Sequence, residues 1–149
     1  MTKITRDVHI KAPVEKVFDL IYDPNNLPEI WSSMLEIKNV KESNLGGYDY
    51  TWAYKMSGMH FEGKSQVMEF LTNRRLVMKS SKGIDGMTTW DFQRDGDEET
   101  HLLFEMEYEV PASLLNRHVE KAVIEENEHE IEAMLQNVKS KAELEVTYA

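Results

Sequence analysis

The stretch PASLLNRHVEKAVIEENEHEIEAMLQNVKSKAELE, residues 111–145, decides the fold of this chain. It contains no glycine, and after Pro111 it contains no proline. Its apolar residues recur at helical spacing, which predicts a single long amphipathic helix. At 1.5 Å per residue, this helix would be about 50 Å long. The predicted apolar face comprises Leu115, Val119, Val123, Ile124, Ile131, Met134, Leu135, Val138 and Ala142.

Polar residues interrupt this apolar face in its N-terminal half. Asn127 falls near the centre of the face, and Asn116 and Glu120 lie on its N-terminal continuation. We therefore expect residues from about 131 onward to close the sheet as core, and residues 112–127 to form a cavity wall, with Asn127 at the border. A buried Asn127 would bond to backbone, water or a ligand, whereas Glu120 is also compatible with simple exposure.

The rest of the chain predicts an antiparallel sheet interrupted by two short helices. Two helices, at 13–22 and about 25–33, follow the first strand. Val67-Met68 and Phe70-Leu71 break the alternation of apolar and polar residues, which indicates a β-bulge. The predicted strands are 3–11, 35–43, 48–57, 59–71, 75–82, 87–94 and 99–110.

These elements predict one domain over residues 1–149, of the α+β class. Tight turns imply antiparallel neighbours, and only the C-terminal helix is long enough to cover the apolar face of the sheet. The expected architecture is a curved antiparallel seven-stranded sheet wrapped around a long C-terminal helix, which is the helix-grip fold.

Composition excludes several classes of site and partner. The 149 residues carry a formal net charge of -10, which argues against binding nucleic acid or anionic membranes. The absence of cysteine excludes disulfides, thiolate metal sites and cysteine nucleophiles. No long apolar run indicates a signal peptide or a membrane span, so we expect a soluble, cytoplasmic protein.

The opening VHIKAPVEKVFDLIYDPNNLPEIW, residues 8–31, resembles the polyketide cyclase/dehydrase and lipid-transport superfamily. This group is related to START domains and to the birch pollen allergen. The resemblance rests on a first strand, an Ala-Pro step, a helix with Val-Phe, an Asp and a Pro-Xaa-Trp-like segment. It implies a cavity between sheet and helix that holds a small hydrophobic molecule. Ala12, Pro13, Val17, Phe18, Asp23, Pro28 and Trp31 carry the resemblance.

Aromatic residues and methionines dominate the predicted inward face of the sheet. A large core explains most of them, but the buried tyrosine hydroxyls need partners and would orient a polar group of a ligand. The candidate ligand-binding residues are Trp31, Tyr50, Trp52, Tyr54, Phe61, Ser65, Met78, Trp90, Phe104, Met106, Val123 and Asn127.

Four positions at the predicted cavity have alternative interpretations. Gly63 and Ser65 either leave free volume beneath the helix, accommodate a large aromatic neighbour, or mark a bend in the strand. Trp31, with Met34, either closes one end of the cavity or acts as a hydrophobic plug.

Motifs for catalysis, metal binding or cofactor binding are not found in the sequence. The five histidines do not form a ligand set by spacing, and there is no glycine-rich phosphate loop. His118 is the one histidine that is a candidate acid or base at a cavity rim. Tyr54 and Glu120 are the other candidates for this role.

Three functions follow from these observations. The first is binding or transport of a small hydrophobic ligand, such as a lipid, a quinone-like molecule or an aromatic metabolite. The second is a polyketide cyclase/dehydratase-like enzyme, which requires a titratable group at the cavity. The third is a protein-interaction module resembling chaperone ATPase activators, which predicts a small or filled cavity.

Overall fold

A computed structural model describes residues 1–148 of the chain, with side chains placed through residue 144. The elements follow the predicted order, and apart from the start of the C-terminal helix their boundaries lie within three residues of the predicted ones. They are β1 (Thr2–Ile10), α1 (Val14–Tyr22), a 3₁₀ turn (Pro24–Asn26), α2 (Leu27–Ile30), β2 (Met34–Glu42), β3 (Tyr48–Met56), β4 (Met59–Leu71), β5 (Arg75–Ser81), β6 (Gly86–Arg94), β7 (Thr100–Tyr108), α3 (Ala112–Leu115) and α4 (Glu120–Tyr148).

The seven strands form one antiparallel sheet in the order β1-β7-β6-β5-β4-β3-β2. Strands β2 to β7 are neighbours along the chain, and β1 pairs with β7 at the far edge. The predicted bulge is confirmed, since the register of β4 against β5 shifts between Val67 and Glu69. Met68, the residue between them, is exposed.

Helix α4 packs its apolar stripe against the inner face of this sheet. Val123, Ile131, Leu135 and Val138 are all buried, at the spacing expected for one helical face. The predicted helix-grip architecture is confirmed. Neither α4 nor any other helix within residues 1–148 is long and apolar enough to cross a membrane.

The prediction of one unbroken helix from residue 111 is wrong at its N-terminal end. Residues 116–119 separate α3 from α4, and Leu115 and Val119 are exposed instead of lying on the apolar face. Leu114 is buried in their place. In a continuous helix, Leu114 would lie about 180° around the axis from Val123, so the break allows both side chains to reach the core.

Residues 21–34, which we call the cover segment, close one end of the sheet and are tied to α4. Ser32 and Ser33 both donate hydrogen bonds to the Glu130 carboxylate, at 3.1 and 3.0 Å. Asn137 donates to the carbonyl of Ile30 at 3.0 Å, and Glu29 forms an ion pair with Lys141. The cover segment is therefore positioned by α4 as well as by its own packing.

Candidate functional site

A cavity lies between the cover segment and the inner face of strands β3 to β7. Its interior offers about 70 Å³ to the centre of a water-sized sphere, within an empty volume of about 720 Å³ that includes solvent at the mouth. One water molecule needs about 10–15 Å³ by the first measure. The cavity therefore has room for several water molecules and is neither fully packed nor large.

The walls combine apolar side chains with a set of hydroxyls. Strand alternation explains this composition, because inward positions on neighbouring strands meet at the cavity. Ser65 and Ser80 are direct cross-strand partners, as are Met78 and Thr88. The hydroxyl-bearing residues of the wall are Tyr22, Tyr48, Tyr50, Tyr54, Ser65, Ser80 and Thr88.

Trp31 of the cover segment lines this cavity and carries a buried polar atom. The residue is 4% exposed, and its indole Nε1 makes no hydrogen bond within the described residues. Its ring makes edge contacts with Tyr54 and Phe104, at centroid distances of 5.7 and 5.8 Å. Trp31 lies close enough to the Tyr54 hydroxyl to oppose the rise in the pKa of that phenol, but no hydrogen bond of normal geometry joins the two side chains. A buried donor without a full partner ordinarily costs about 1–3 kcal/mol.

The indole of Trp52, on the sheet side of the cavity, does have a hydrogen-bond partner. Its indole nitrogen donates to the Ser65 hydroxyl at 3.1 Å, and both side chains are buried. Gly63 provides the space for this indole, because a Cβ at Gly63 would lie 2.5 Å from Trp52 Cζ2. Of the three interpretations of Gly63, the structure supports accommodation of an aromatic neighbour.

The buried tyrosines of the wall remain neutral at ordinary pH. Burial raises the pKa of Tyr50 to about 12, although the Ser65 hydroxyl opposes the shift. Burial also raises the pKa of Tyr54, against smaller opposing effects of Ser33 and Trp31. These phenols are therefore hydrogen-bonding groups and not bases near neutral pH.

The structure brings most of the predicted site residues together at this cavity. Eight of the twelve candidates line it: Trp31, Tyr50, Trp52, Tyr54, Ser65, Met78, Trp90 and Met106. Phe61, Phe104, Val123 and Asn127 do not line it. Phe61 is partly buried opposite Tyr54 on β4, Phe104 is buried beneath Trp31 and Trp90, and Val123 packs in the helix–sheet core.

The expected cavity wall on the C-terminal helix is not found, because no residue of α3 or of α4 up to residue 144 lines this cavity. Asn127 is buried, as expected, but its amide donates to the Tyr108 hydroxyl at 2.6 Å. It also borders a separate surface groove with Ser33, Glu126 and Glu130. The Asn127 amide, which interrupts the apolar stripe, therefore has a hydrogen-bond partner within the protein.

Ten wall residues lie outside the twelve candidates, in the cover segment, on strands β3, β5 and β6, and in the turn before β6. A short helix broken by prolines gives no clear periodicity, so its inward side could not be assigned. The resemblance to the family, which places this segment at a cavity end, was the one available signal for Met34 and its neighbours. These wall residues are Ile21, Tyr22, Pro24, Leu27, Met34, Tyr48, Leu76, Ser80, Ile84 and Thr88. Of these, Met34 was expected beside Trp31 at one end of the cavity.

Two of the three proposed acid–base residues lie away from the cavity, and only Tyr54 lines it. His118 is exposed in the linker between α3 and α4, and Glu120 is exposed at the start of α4. Among the described residues that line the cavity, there is no carboxylate, imidazole, ammonium or guanidinium group. The cavity wall thus offers hydroxyls and one indole N–H as its polar chemistry.

Two histidines cluster after all, on the outer face of the sheet. His9 of β1 and His101 of β7 are direct cross-strand partners, and Asp7 lies two residues from His9 on the same face. The two rings and the carboxylate are thus brought together by strand pairing and not by spacing along the chain. Sequence spacing could not reveal it, because the pairing joins strands that are about 90 residues apart in the chain.

Known proteins resemble the chain in sequence pattern and in fold. Residues 1–143 match the family described as polyketide cyclase/dehydrase and lipid transport. No curated protein sequence matches the chain significantly.

Three solved structures illustrate the structural likeness. A START superfamily protein from Mycobacterium smegmatis aligns with a TM-score of 0.76 at 14% identity, over 95% of this chain and 97% of that chain. The Zhui aromatase/cyclase from Streptomyces sp. R1128 gives 0.78 at 15% identity, over 97% and 95%. The Aha1 dimer from Colwellia psychrerythraea gives 0.67 at 13% identity, over 96% and 97%.

The three solved structures are only 13% to 15% identical to this chain, so they establish its fold and not its function. The family match covers nearly the whole chain. On that evidence, the chain belongs to the polyketide cyclase/dehydrase and lipid-transport family.

Proposed function

We propose that this protein binds a small, largely apolar molecule that carries a hydrogen-bond acceptor, such as a carbonyl oxygen, in the cavity beneath the cover segment. The observation that carries the proposal is the indole N–H of Trp31, a residue of the cavity wall, which is buried and makes no hydrogen bond within the described residues. A ligand acceptor would satisfy this donor, whereas an empty or water-free cavity leaves its desolvation uncompensated.

The apolar part of the wall supplies the affinity in this proposal. Transfer of apolar surface from water contributes roughly 25 cal/mol per Å². Trp90, Leu76 and Ile84 offer such surface to a ligand, and the hydroxyls of Ser80 and Thr88 add acceptors or donors at the opposite wall. This division between apolar area and a few polar contacts is typical of small-molecule sites.

A ligand larger than a few water molecules requires the walls to adapt. Met34, Met78 and Met106 line the cavity, and their unbranched side chains change rotamer at low cost. The cover segment is tied to α4 by polar contacts in addition to its buried apolar side chains, and these polar contacts break at lower cost than apolar core packing. Both features support entry of a ligand by local opening of the cover segment.

The enzyme alternative gains no support from the wall composition. General acid–base chemistry at neutral pH needs a group that titrates near that pH. The described wall residues include only tyrosines as titratable groups, and burial raises the pKa of both Tyr50 and Tyr54. Binding without covalent chemistry is therefore the function that this cavity supports best.

A matched pair of ligands tests the proposal at the Trp31 indole. Menadione and 2-methylnaphthalene share a bicyclic skeleton and a methyl group, but only menadione carries carbonyl acceptors. The chain has no cysteine, so the quinone will not form thiol adducts. Titrations followed by calorimetry would compare both molecules on the wild-type protein and on the Trp31→Phe variant.

We expect saturable binding of one molecule per chain, with the wild type preferring menadione by about five- to tenfold. Trp31→Phe should abolish this preference but still bind 2-methylnaphthalene. Equal preference in both proteins would refute the role of the indole. Absence of saturable binding for both molecules, and for a fatty acid such as decanoic acid, would favour the interaction-module alternative instead.

A further inference from the structure

We propose that Asp7, His9 and His101 form a binding site for a divalent transition-metal ion, with Zn²⁺ as its reference ligand. The site lies on the outer face of the sheet, at the β1–β7 pair. It is separate from the cavity, which occupies the inner face, so the proposal does not depend on the function proposed above.

Strand pairing builds the site from residues at both ends of the chain. His9 and His101 are directly opposed in the antiparallel register, and Asp7 shares their face because side chains alternate along β1. The two imidazole rings lie 4.2 Å apart at their centroids and are tilted by only 5°. His101 Nε2 is 2.6 Å from Asp7 Oδ2.

The distances suit a shared ion after small side-chain movements. One ligand atom from each of the three residues lies within 4.8 Å of the others. In a tetrahedral zinc site with bonds near 2.1 Å, ligand atoms are about 3.4 Å apart. An adjustment of about 1 Å is within the reach of partly exposed side chains on a rigid pair of strands.

The donor chemistry also fits this class of ion. Two imidazole nitrogens and one carboxylate oxygen suit Zn²⁺ and neighbouring transition metals better than Mg²⁺ or Ca²⁺, which prefer sets of oxygen ligands. Three protein ligands on an exposed face leave a coordination position for water. The net charge of -10 also favours the approach of cations to this surface.

Calorimetric titration of ZnCl₂ into protein without a polyhistidine tag tests the proposal. We expect one ion per chain, with saturation below about 100 µM. His9→Gln and His101→Gln should each weaken binding by about tenfold or more, and Asp7→Asn should weaken it by a smaller factor. The imidazole NMR signals of His9 and His101 should shift on addition of Zn²⁺.

His129→Gln is the matched control, because His129 and Glu132 form another histidine–carboxylate pair, at 3.6 Å on α4. This variant should bind Zn²⁺ like the wild type. The proposal is overturned if no saturation occurs up to about 1 mM, or if His9→Gln binds as tightly as wild type. Loss of binding in His129→Gln would also overturn it. Circular dichroism of each variant separates loss of the site from loss of the fold.

Discussion

The side-chain amide of Asn127 donates a hydrogen bond of 2.6 Å to the hydroxyl of Tyr108, and both residues are buried between α4 and β7. This contact explains why a polar residue stands in the apolar stripe of the C-terminal helix. Among residues 120–144 of α4, Asn127 is the one buried polar residue, and this bond gives its amide a partner within the protein.

We predict that Tyr108→Phe destabilises the protein, because the Asn127 amide would remain buried without this partner. The expected loss in the free energy of unfolding is about 1–3 kcal/mol. Urea denaturation of Tyr108→Phe, Asn127→Leu and the double variant would measure it. The double variant should recover part of the loss, and strictly additive losses would contradict direct coupling between the two residues.

Gly63 is predicted to be intolerant of even one methyl group. A Cβ there would lie 2.5 Å from the Trp52 ring and 2.7 Å from the carbonyl oxygen of Ser81, so the backbone oxygen limits any relaxation. Gly63→Ala should therefore lower the unfolding free energy by about 1–3 kcal/mol. Lys64→Ala, one residue along β4, serves as the control. A Gly63→Ala protein as stable as the control would show that Trp52 can move without cost.

The cover segment should open more often when its bond to α4 is removed. Asn137→Ala deletes the hydrogen bond to the Ile30 carbonyl, whereas the exposed neighbour Gln136 provides a control as Gln136→Ala. A loss near 1 kcal/mol predicts about fivefold faster amide hydrogen exchange in α2, with little change in β6 and β7. Equal exchange in the two variants would mean that packing alone holds the segment.

Alkaline pH should destabilise the fold through Tyr50. Burial raises the pKa of Tyr50 from 10.0 to about 12, so the folded state holds the proton more tightly than the unfolded state. This contribution to stability is fully present below pH 10 and is lost as pH rises to about 12, at about 1.4 kcal/mol per pH unit.

Urea denaturation of wild type and Tyr50→Phe would reveal this contribution. The measurements would run from about pH 9 to about pH 11.5, a range that includes the tyrosine pKa of about 10 in the unfolded state. The unfolding free energy of the variant should fall less steeply with pH than that of the wild type. The difference in slope corresponds to at most about one bound proton. Tyr54 contributes in the same direction, since burial also raises its pKa, so a residual slope is expected in the variant. Identical slopes in both proteins would contradict the shift.

The sheet and much of its inward face were predictable from the sequence. Alternation along β3, β5, β6 and β7 identified Trp52, Met78, Trp90 and Met106 as inward residues, and all four line the cavity. The disturbed alternation at Val67-Met68 also revealed the bulge. Period-two patterns report local geometry reliably, because each side chain can face only one of two sides.

The cover of the cavity was not predictable in the same way. The apolar stripe of the C-terminal helix gave no sign that Leu114 would replace Leu115 in the core, because that choice depends on the break at residues 116–119. The partners of Asn127 and of His9 depend on contacts between distant parts of the chain. Periodicity carries no information about such contacts.

The cavity itself is tested most directly by filling it. Thr88 faces the cavity and Thr89 faces the outer side of β6, so Thr88→Phe and Thr89→Phe add the same ring on opposite faces. Titration of menadione into both variants would compare them with the wild type. We predict that Thr88→Phe loses at least about tenfold in affinity whereas Thr89→Phe binds like the wild type. Equal affinity in the two folded variants would contradict binding in this cavity.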